Sequence, residues 1–288
     1  MFRSFKMREF HLLLFPPGFW LLLFFVVPLV IVLVYSFAFK ETYGGVTPGF
    51  TLEHYRAIAE GMYLKIFLRS FGYAFLTTLF TLLLAFPIAY YMSFASLRVK
   101  TIIMVMIMIP FWTNFLVRMY ALMTIVGESG LINQFLMGTG IIDQPLPLFN
   151  NTFSVFAGFI YWNLPFMVLP IFSSLDRLDT SLIEASLDLG ASKMQTFLRV
   201  TLPYSVPGLI AAIIFAFVPT MGNFIIPEFM GGTDNYMIGN LITSQFVQAR
   251  NWPFGSALSM AMIFFVMIFI SLYLRFYKPS GSQSLQNI

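Results

Sequence analysis

Two segments set aromatic and polar side chains next to one another inside otherwise apolar runs. One is Pro110-Phe111-Trp112-Thr113-Asn114-Phe115-Leu116-Val117-Arg118-Met119-Tyr120; the other is Tyr161-Trp162-Asn163-Leu164-Pro165-Phe166. A third, between Pro219 and Pro227, carries Gly222 and the polar Asn223. Asn and Arg are costly in hydrocarbon, so these groups are expected to face the protein interior or water. Such residues suit the passage of a solute better than the making or breaking of bonds. Trp112 and Tyr161 also fit an interfacial aromatic belt, and Arg118 fits an ion-paired or snorkelling side chain. The prolines read singly as ordinary kinks, but the Pro219, Gly222 and Pro227 cluster predicts a discontinuous segment that could line a pathway. Enzyme chemistry has little to work with. His11 and His54 are the only histidines and neither is assigned a role: His11 reads as interfacial and His54 as a loop residue. There is no H-E-x-x-H metal pair, no G-x-S-x-G elbow and no phosphate-cradling P-loop.

A different chemistry, that of contact with another protein, is suggested by Glu184-Ala185-Ser186-Leu187-Asp188-Leu189-Gly190, followed by Val200-Thr201-Leu202-Pro203. This is the one long polar segment between two strongly apolar ones. Ser181 with Glu184, and Ser192 with Gln195, each have the spacing of a helix capping box. Gly190 falls between the two helix starts, where a left-handed residue would end the first helix. Pro203 restricts Leu202 and is expected to mark the start of the next membrane segment. The segment therefore reads as a short helix, a glycine turn and a second short helix held at a membrane surface, with Leu182, Ala185, Ser186 and Leu189 on a small apolar face.

The elements that would hold these residues follow from composition. The chain of 288 residues is 59% hydrophobic and 10% charged, with a mean hydropathy of +0.84, far from the balance of a soluble domain. About 20 apolar residues make one helical span. Six stretches meet or approach that length: Leu12–Phe39, Ser70–Leu97, Thr101–Val126 (interrupted by Arg118), Asn151–Leu175, Tyr204–Pro227 and Phe254–Leu274. The first run is too long for a cleaved signal peptide and reads as a retained helix. One all-α membrane domain over residues 1–288 is expected, with a first helix at about 12–36, a core at about 68–276 and the polar loop at about 176–203.

With the N-terminus inside, ten basic residues fall on the cytosolic side and six outside, and the segments 98–100 and 275–278 carry no acid. That bias predicts both termini inside and the Glu184 loop in the cytosol. The net charge of +4 is then accounted for by orientation and anionic lipid, and no nucleic-acid partner is expected. Without cysteine, disulfides and thiolate metal sites are excluded.

The Glu184 loop resembles the "EAA" loop of ABC importer permeases: Glu184, Ala185, Gly190, Leu202 and Pro203 match it, while Ser186 and Val200 depart conservatively. Pro110-Phe111-Trp112-Thr113-Asn114, Leu164 to Pro170, Phe229-Met230-Gly231-Gly232 and Arg250-Asn251-Trp252-Pro253-Phe254 look like the permease subunits of spermidine/putrescine importers, from about residue 50 to the last span. The resemblance implies a MetI-like fold of six transmembrane helices, with a cytosolic coupling helix between helices 4 and 5. It implies a bacterial inner-membrane permease that is not itself an enzyme. A second, homologous permease, two ATPase subunits using ATP and Mg, and an extracytoplasmic binding protein would complete the importer. This chain would bind no cofactor or metal. Related opine, thiamine and iron(III) permeases share parts of these motifs, and a gradient-driven carrier is a further alternative, although no internal repeat supports it.

A polyamine pathway would need carboxylates and aromatic faces, each ring contact contributing about 0.5–2 kcal/mol. Trp112, Tyr161 and Trp162 could supply the faces, with Asn114 and Asn223 as polar lining. Glu228, directly after Ile225-Ile226-Pro227, is expected to be a buried carboxylate on that route. Glu128 and Asp143 read as solvated loop charges, and Asp234 follows the fifth span on the outer side.

Overall fold

Prolines sit inside the apolar runs without ending them. Pro87, Pro165, Pro170, Pro207 and Pro219 all lie within continuous helices. In a membrane the freed carbonyls are met by neighbouring helices and side chains, so the helix bends instead of breaking. The computed structural model describes residues 15–42 and 44–276. Its helices are α1 Phe15–Tyr35, α2 Glu53–Ala59, α3 Gly61–Phe94, α4 Leu97–Met108, α5 Phe115–Val126, α6 Leu131–Gly138, α7 Thr152–Leu175 and α8 Thr180–Asp188. There follow α9 Lys193–Gly222, α10 Ile225–Met230, α11 Ile238–Val247 and α12 Trp252–Phe276. A two-residue hairpin, β1 Phe39–Lys40 with β2 Val46–Thr47, follows α1. Six stretches among the described residues are long and apolar enough to cross a membrane. Apart from that hairpin, the regular structure of the described residues is helical.

The third crossing breaks at Pro110, not at Arg118. α4 ends in a 3-10 turn, Ile109–Trp112, and the Asn114 Oδ1 accepts the Leu116 amide at 2.8 Å to start α5. Pro110 brings no amide hydrogen and Asn114 offers a ready cap, which together interrupt the ladder. Arg118 lies within α5 and is accommodated there. Lys100 of α4 pairs with Asp176 just past the end of α7 at 2.5 Å, while Val126 of α5 joins Val155, near the other end of α7, in one buried cluster. Segment 97–126 therefore runs antiparallel along the length of α7. The Phe115–Gly138 stretch has the composition of a span but contains the Gly127–Gly130 turn. Beyond it Asn133 anchors α6 through the Gly127 and Leu146 carbonyls and the Leu146 amide.

Contacts divide the chain into two compact units. In Lys65–Asn240 the interior is built from alanines of α3 and α9 facing Met167, Val168, Ile171 and Leu175 of α7. A Cβ on Gly208 would come within 2.5 Å of the Pro170 carbonyl oxygen, so α7 and α9 touch backbone to backbone. The other unit comprises the described residues up to Leu64 and from Leu241 onward. There α12 packs on α1 and α2, and Tyr63 meets Phe254 edge-on at 5.0 Å. His54, expected in a loop, is on α2 with its Nε2 2.9 Å from the Ala38 carbonyl oxygen. His11 lies outside the described residues.

Pro203 does not begin a new helix. α9 runs unbroken from its Ser192 cap, through a π turn at Phe197–Thr201, to Gly222, and Leu202 is fully helical at φ −63° and ψ −48°. A π turn pairs amides five residues back, so a proline just after it costs the ladder little. The discontinuity expected around Gly222 is present. Asn223 is extended, and its Oδ1 accepts the Ile226 amide at 3.0 Å to start α10.

Candidate functional site

The polar loop forms the helix–turn–helix that its spacing predicts, with one change at its start. Ser181 and Glu184 do not make a capping box. The N-cap of α8 is Asp179, whose carboxylate accepts the Ser181 amide at 2.9 Å. Starting the helix two residues earlier puts Ser181 inside its first turn, where its amide is one of the orphan donors that the Asp179 carboxylate satisfies. That backbone hydrogen bond holds the Asp179 carboxyl below its ordinary pKa. A depressed folded-state pKa means the cap is intact at neutral pH and is lost only as the pH falls through the carboxylate range.

Gly190 has φ +87°. The Gly190 amide donates to the Leu187 carbonyl at 2.9 Å and the Ala191 amide to the Ser186 carbonyl at 3.1 Å, the pair of bonds that ends a helix on a left-handed residue. The predicted Ser192–Gln195 box is present in both directions, at 2.8 and 3.3 Å. The Ser186 and Thr196 hydroxyls meet at 3.0 Å and tie the two arms together. Between the arms is an open concavity of about 520 Å³ lined by Leu182, Ala185, Ser186, Leu189, Gln195 and Arg199 among others. Leu189 is 89% exposed beside it. Glu184 is exposed and makes no ion pair among the described residues. The concavity combines apolar Leu182, Ala185 and Leu189 with polar Ser186, Gln195 and Arg199, and its shape is fixed by two caps and a hydroxyl clasp.

The second cluster surrounds the break in the third crossing. Trp112 is 86% exposed. Trp162 instead faces inward, packing on Phe115 at 4.8 Å and Phe111 at 5.6 Å. Tyr161 is half-buried. Asn114 and Asn223 both serve as helix caps. Asn163 is fully buried and donates to the Thr220 hydroxyl at 2.8 Å and the Phe159 carbonyl at 3.0 Å.

Among the described residues Arg118 has no ion-pair partner, and its side chain packs inward. It is 7% exposed, with its guanidinium carbon 4.3 Å from the Phe111 ring centre, 5.0 Å from Trp162 and 5.9 Å from Phe115. Its Nε and Nη1 are sealed from solvent with no hydrogen-bond partner.

Glu228, expected to be buried, is exposed on α10. Its Oε2 accepts from the Asn240 side-chain amide at 2.9 Å, and the same nitrogen reaches the Phe224 carbonyl. One turn of α10 therefore carries Glu228 outward and Phe229 inward, against Tyr120 at 5.8 Å. Phe111, Phe115, Asn240 and Thr220 were not singled out from sequence. Phe115 could have been, because it precedes Arg118 by three residues on one helix face; Phe111 lies across the break before α5, where helical spacing does not apply. Asn240 and Thr220 carry no such signal. Among the described residues no group of three or more His, Cys, Asp or Glu could hold a metal ion.

Residues 3–278 match the family described as "Binding-protein-dependent transport system inner membrane component". The spermidine/putrescine transport system permease protein PotB of Escherichia coli K12 is 37% identical over 256 residues, covering 89% of this chain and 93% of that protein. The PotB of Haemophilus influenzae is 34% identical over 89% and 90% of the two chains. The inner membrane ABC transporter permease protein YdcU of Escherichia coli K12 is 36% identical over 85% and 81%. In fold, the chain is similar to a subunit of a bacterial ABC transporter involved in the import of the acidic polysaccharide alginate. The TM-score is 0.75 at 15% identity, over 93% and 94% of the two chains.

Proposed function

Because the chain belongs to the family of binding-protein-dependent transport system inner membrane components, we propose that it is the membrane permease of an ATP-driven importer whose cargo is a polyamine, spermidine or putrescine. The observation that carries the cargo is identity of 36–37% to PotB proteins spread over 89% of the chain. The α8–α9 hairpin is the coupling element, with Ala185, Ser186 and Gly190 lining the docking notch for an ATPase subunit and Glu184 exposed on the same short helix. Leu202 and Pro203 continue that hairpin into the span. Two ATPases bind ATP with Mg²⁺, a second homologous permease completes the pathway, and a binding protein delivers cargo from outside. ATPase closure moves the hairpin and opens the pathway outward; hydrolysis returns it.

On the pathway side, Glu228 offers an exposed carboxylate and Trp112 an exposed ring face, both suited to a multivalent cation. Uptake of labelled spermidine and putrescine by the reconstituted complex tests the cargo, and its absence in the intact wild-type complex refutes it. Glu228→Gln keeps the Asn240 contact and removes the charge. For one exposed charge facing a cation, about a 1.5-fold to fivefold loss of uptake is expected. Trp112→Leu should also reduce uptake, whereas Asp143→Asn should do little. Equal transport by Glu228→Gln and wild type would take Glu228 off the route.

The basic-residue bias places both termini and the hairpin in the cytosol. The Lys100–Asp176 pair supports putting the start of α4 on the hairpin's side. Reporter fusions after Leu97, within 180–198 and at the C-terminus should read cytosolic, and fusions near Pro48, Asp143 and Asp234 should read external. One reproducible fusion on the wrong side overturns this arrangement.

A further inference from the structure

A guanidinium at membrane depth is normally met by a carboxylate or by carbonyl oxygens, because an unpaired buried charge is strongly unfavourable. Arg118 has neither. Its Nε and Nη1 are dry and idle, it forms no ion pair among the described residues, and three rings lie around its guanidinium at 4.3, 5.0 and 5.9 Å. The rings brace one another: Phe115 stands edge-on to Trp162 at 85° and Phe111 lies against Trp162. What holds the group is therefore ring electrostatics, which attracts any cation and does not read the fork of a guanidinium. The cage also adjoins the Ile109–Trp112 turn, where the backbone ladder is interrupted.

We propose that Phe111, Phe115 and Trp162 form a binding site for a primary alkylammonium group, which Arg118 occupies as a tethered stand-in until cargo displaces it. The arm of Arg118 is three methylenes ending in a cation, the same kind of object as the end of a polyamine. A compact ammonium loses no hydrogen bond to the cage that the guanidinium was making. In this arrangement Arg118 sets specificity. A ligand with one weak ammonium does not displace it, while one that binds elsewhere at its second charge does. The identity of the cargo rests on the polyamine reading above; the cage itself does not.

Equilibrium binding to the assembled transporter, without the binding protein, tests this with two probes, putrescine and n-butylammonium. Arg118→Met empties the cage while keeping an apolar arm, and should tighten binding of both probes about tenfold. Adding Trp162→Leu should cancel the gain. A merely structural arginine predicts no gain in either probe. If Arg118→Met does not assemble, Arg118→Gln removes the charge with less change of shape and is read in the same way. Tighter n-butylammonium binding in a complex that imports no polyamine would keep the cage and discard the cargo. Unchanged affinity for both probes in an assembled Arg118→Met or Arg118→Gln complex overturns the proposal.

Discussion

Gly190→Val should abolish uptake while leaving membrane insertion and subunit assembly intact. The residue sits at φ +87°, and a Cβ placed there would meet no atom within 4 Å. Space is free; the backbone is not. A non-glycine residue in the left-handed region costs about 1–2 kcal/mol, and a β-branched one is a true outlier there. The turn would open, the bonds from Gly190 to Leu187 and from Ala191 to Ser186 would go, and the notch between the arms would lose its shape. The effect should be graded: Gly190→Asn retains most uptake, Gly190→Ala less, Gly190→Val almost none. ATPase turnover measured on the same complexes should lose its stimulation by cargo in parallel. Full coupled transport by Gly190→Val would remove this hairpin from the coupling role.

The second large effect is one of folding. At Gly208 a Cβ would lie 2.5 Å from the Pro170 carbonyl oxygen and 2.7 Å from the Ser174 Cβ. Neither the α7 backbone nor a Cβ can swing aside, so even Gly208→Ala forces α7 and α9 apart. About 1–3 kcal/mol is expected for Gly208→Ala and more for Gly208→Val. The amount of mature protein in the membrane and the thermal midpoint of the purified complex should both fall. Gly72→Ala, where nothing lies within 4 Å, should leave both unchanged. A Gly208→Val complex as heat-resistant as wild type would show that the two helices are not held this closely.

Much of this was readable from residue order, and the parts that were not have physical reasons. The glycine turn was legible because a positive φ, a Ser–Gln box and an apolar face at helical spacing are all local. The start of α8 was misread because Asp179 and Ser181, two residues apart and about equal as N-caps, both suit the position, and residue order does not say which one the chain uses. Arg118 looked like the break in its span because charge dominates a hydropathy reading. The backbone yields where a donor is missing, at Pro110, and the charge is absorbed by rings. One of those rings, Trp162, comes from a different helix, and no spacing rule could bring it to Arg118. Glu228 was expected inside because apolar residues precede it, yet a six-residue helix turns its face within one step. The Asn240 amide that meets it arrives from the start of α11.

The unbroken run of α9 has a mechanical consequence. Thirty residues of helix make a rod about 45 Å long, whose lower end is one arm of the hairpin and whose upper end is the Gly222 break. A tilt of about 10° applied at the hairpin would sweep the far end of a straight rod through about 8 Å, less what the bends at Pro207 and Pro219 absorb. The π turn at Phe197–Thr201 is the place where such a rod can yield, since its looser ladder can tighten to α geometry and take up part of the twist. Asn223 and Glu228 hang from the moving tip, so a displacement of the hairpin reaches them as a swing of position, in step with its cause.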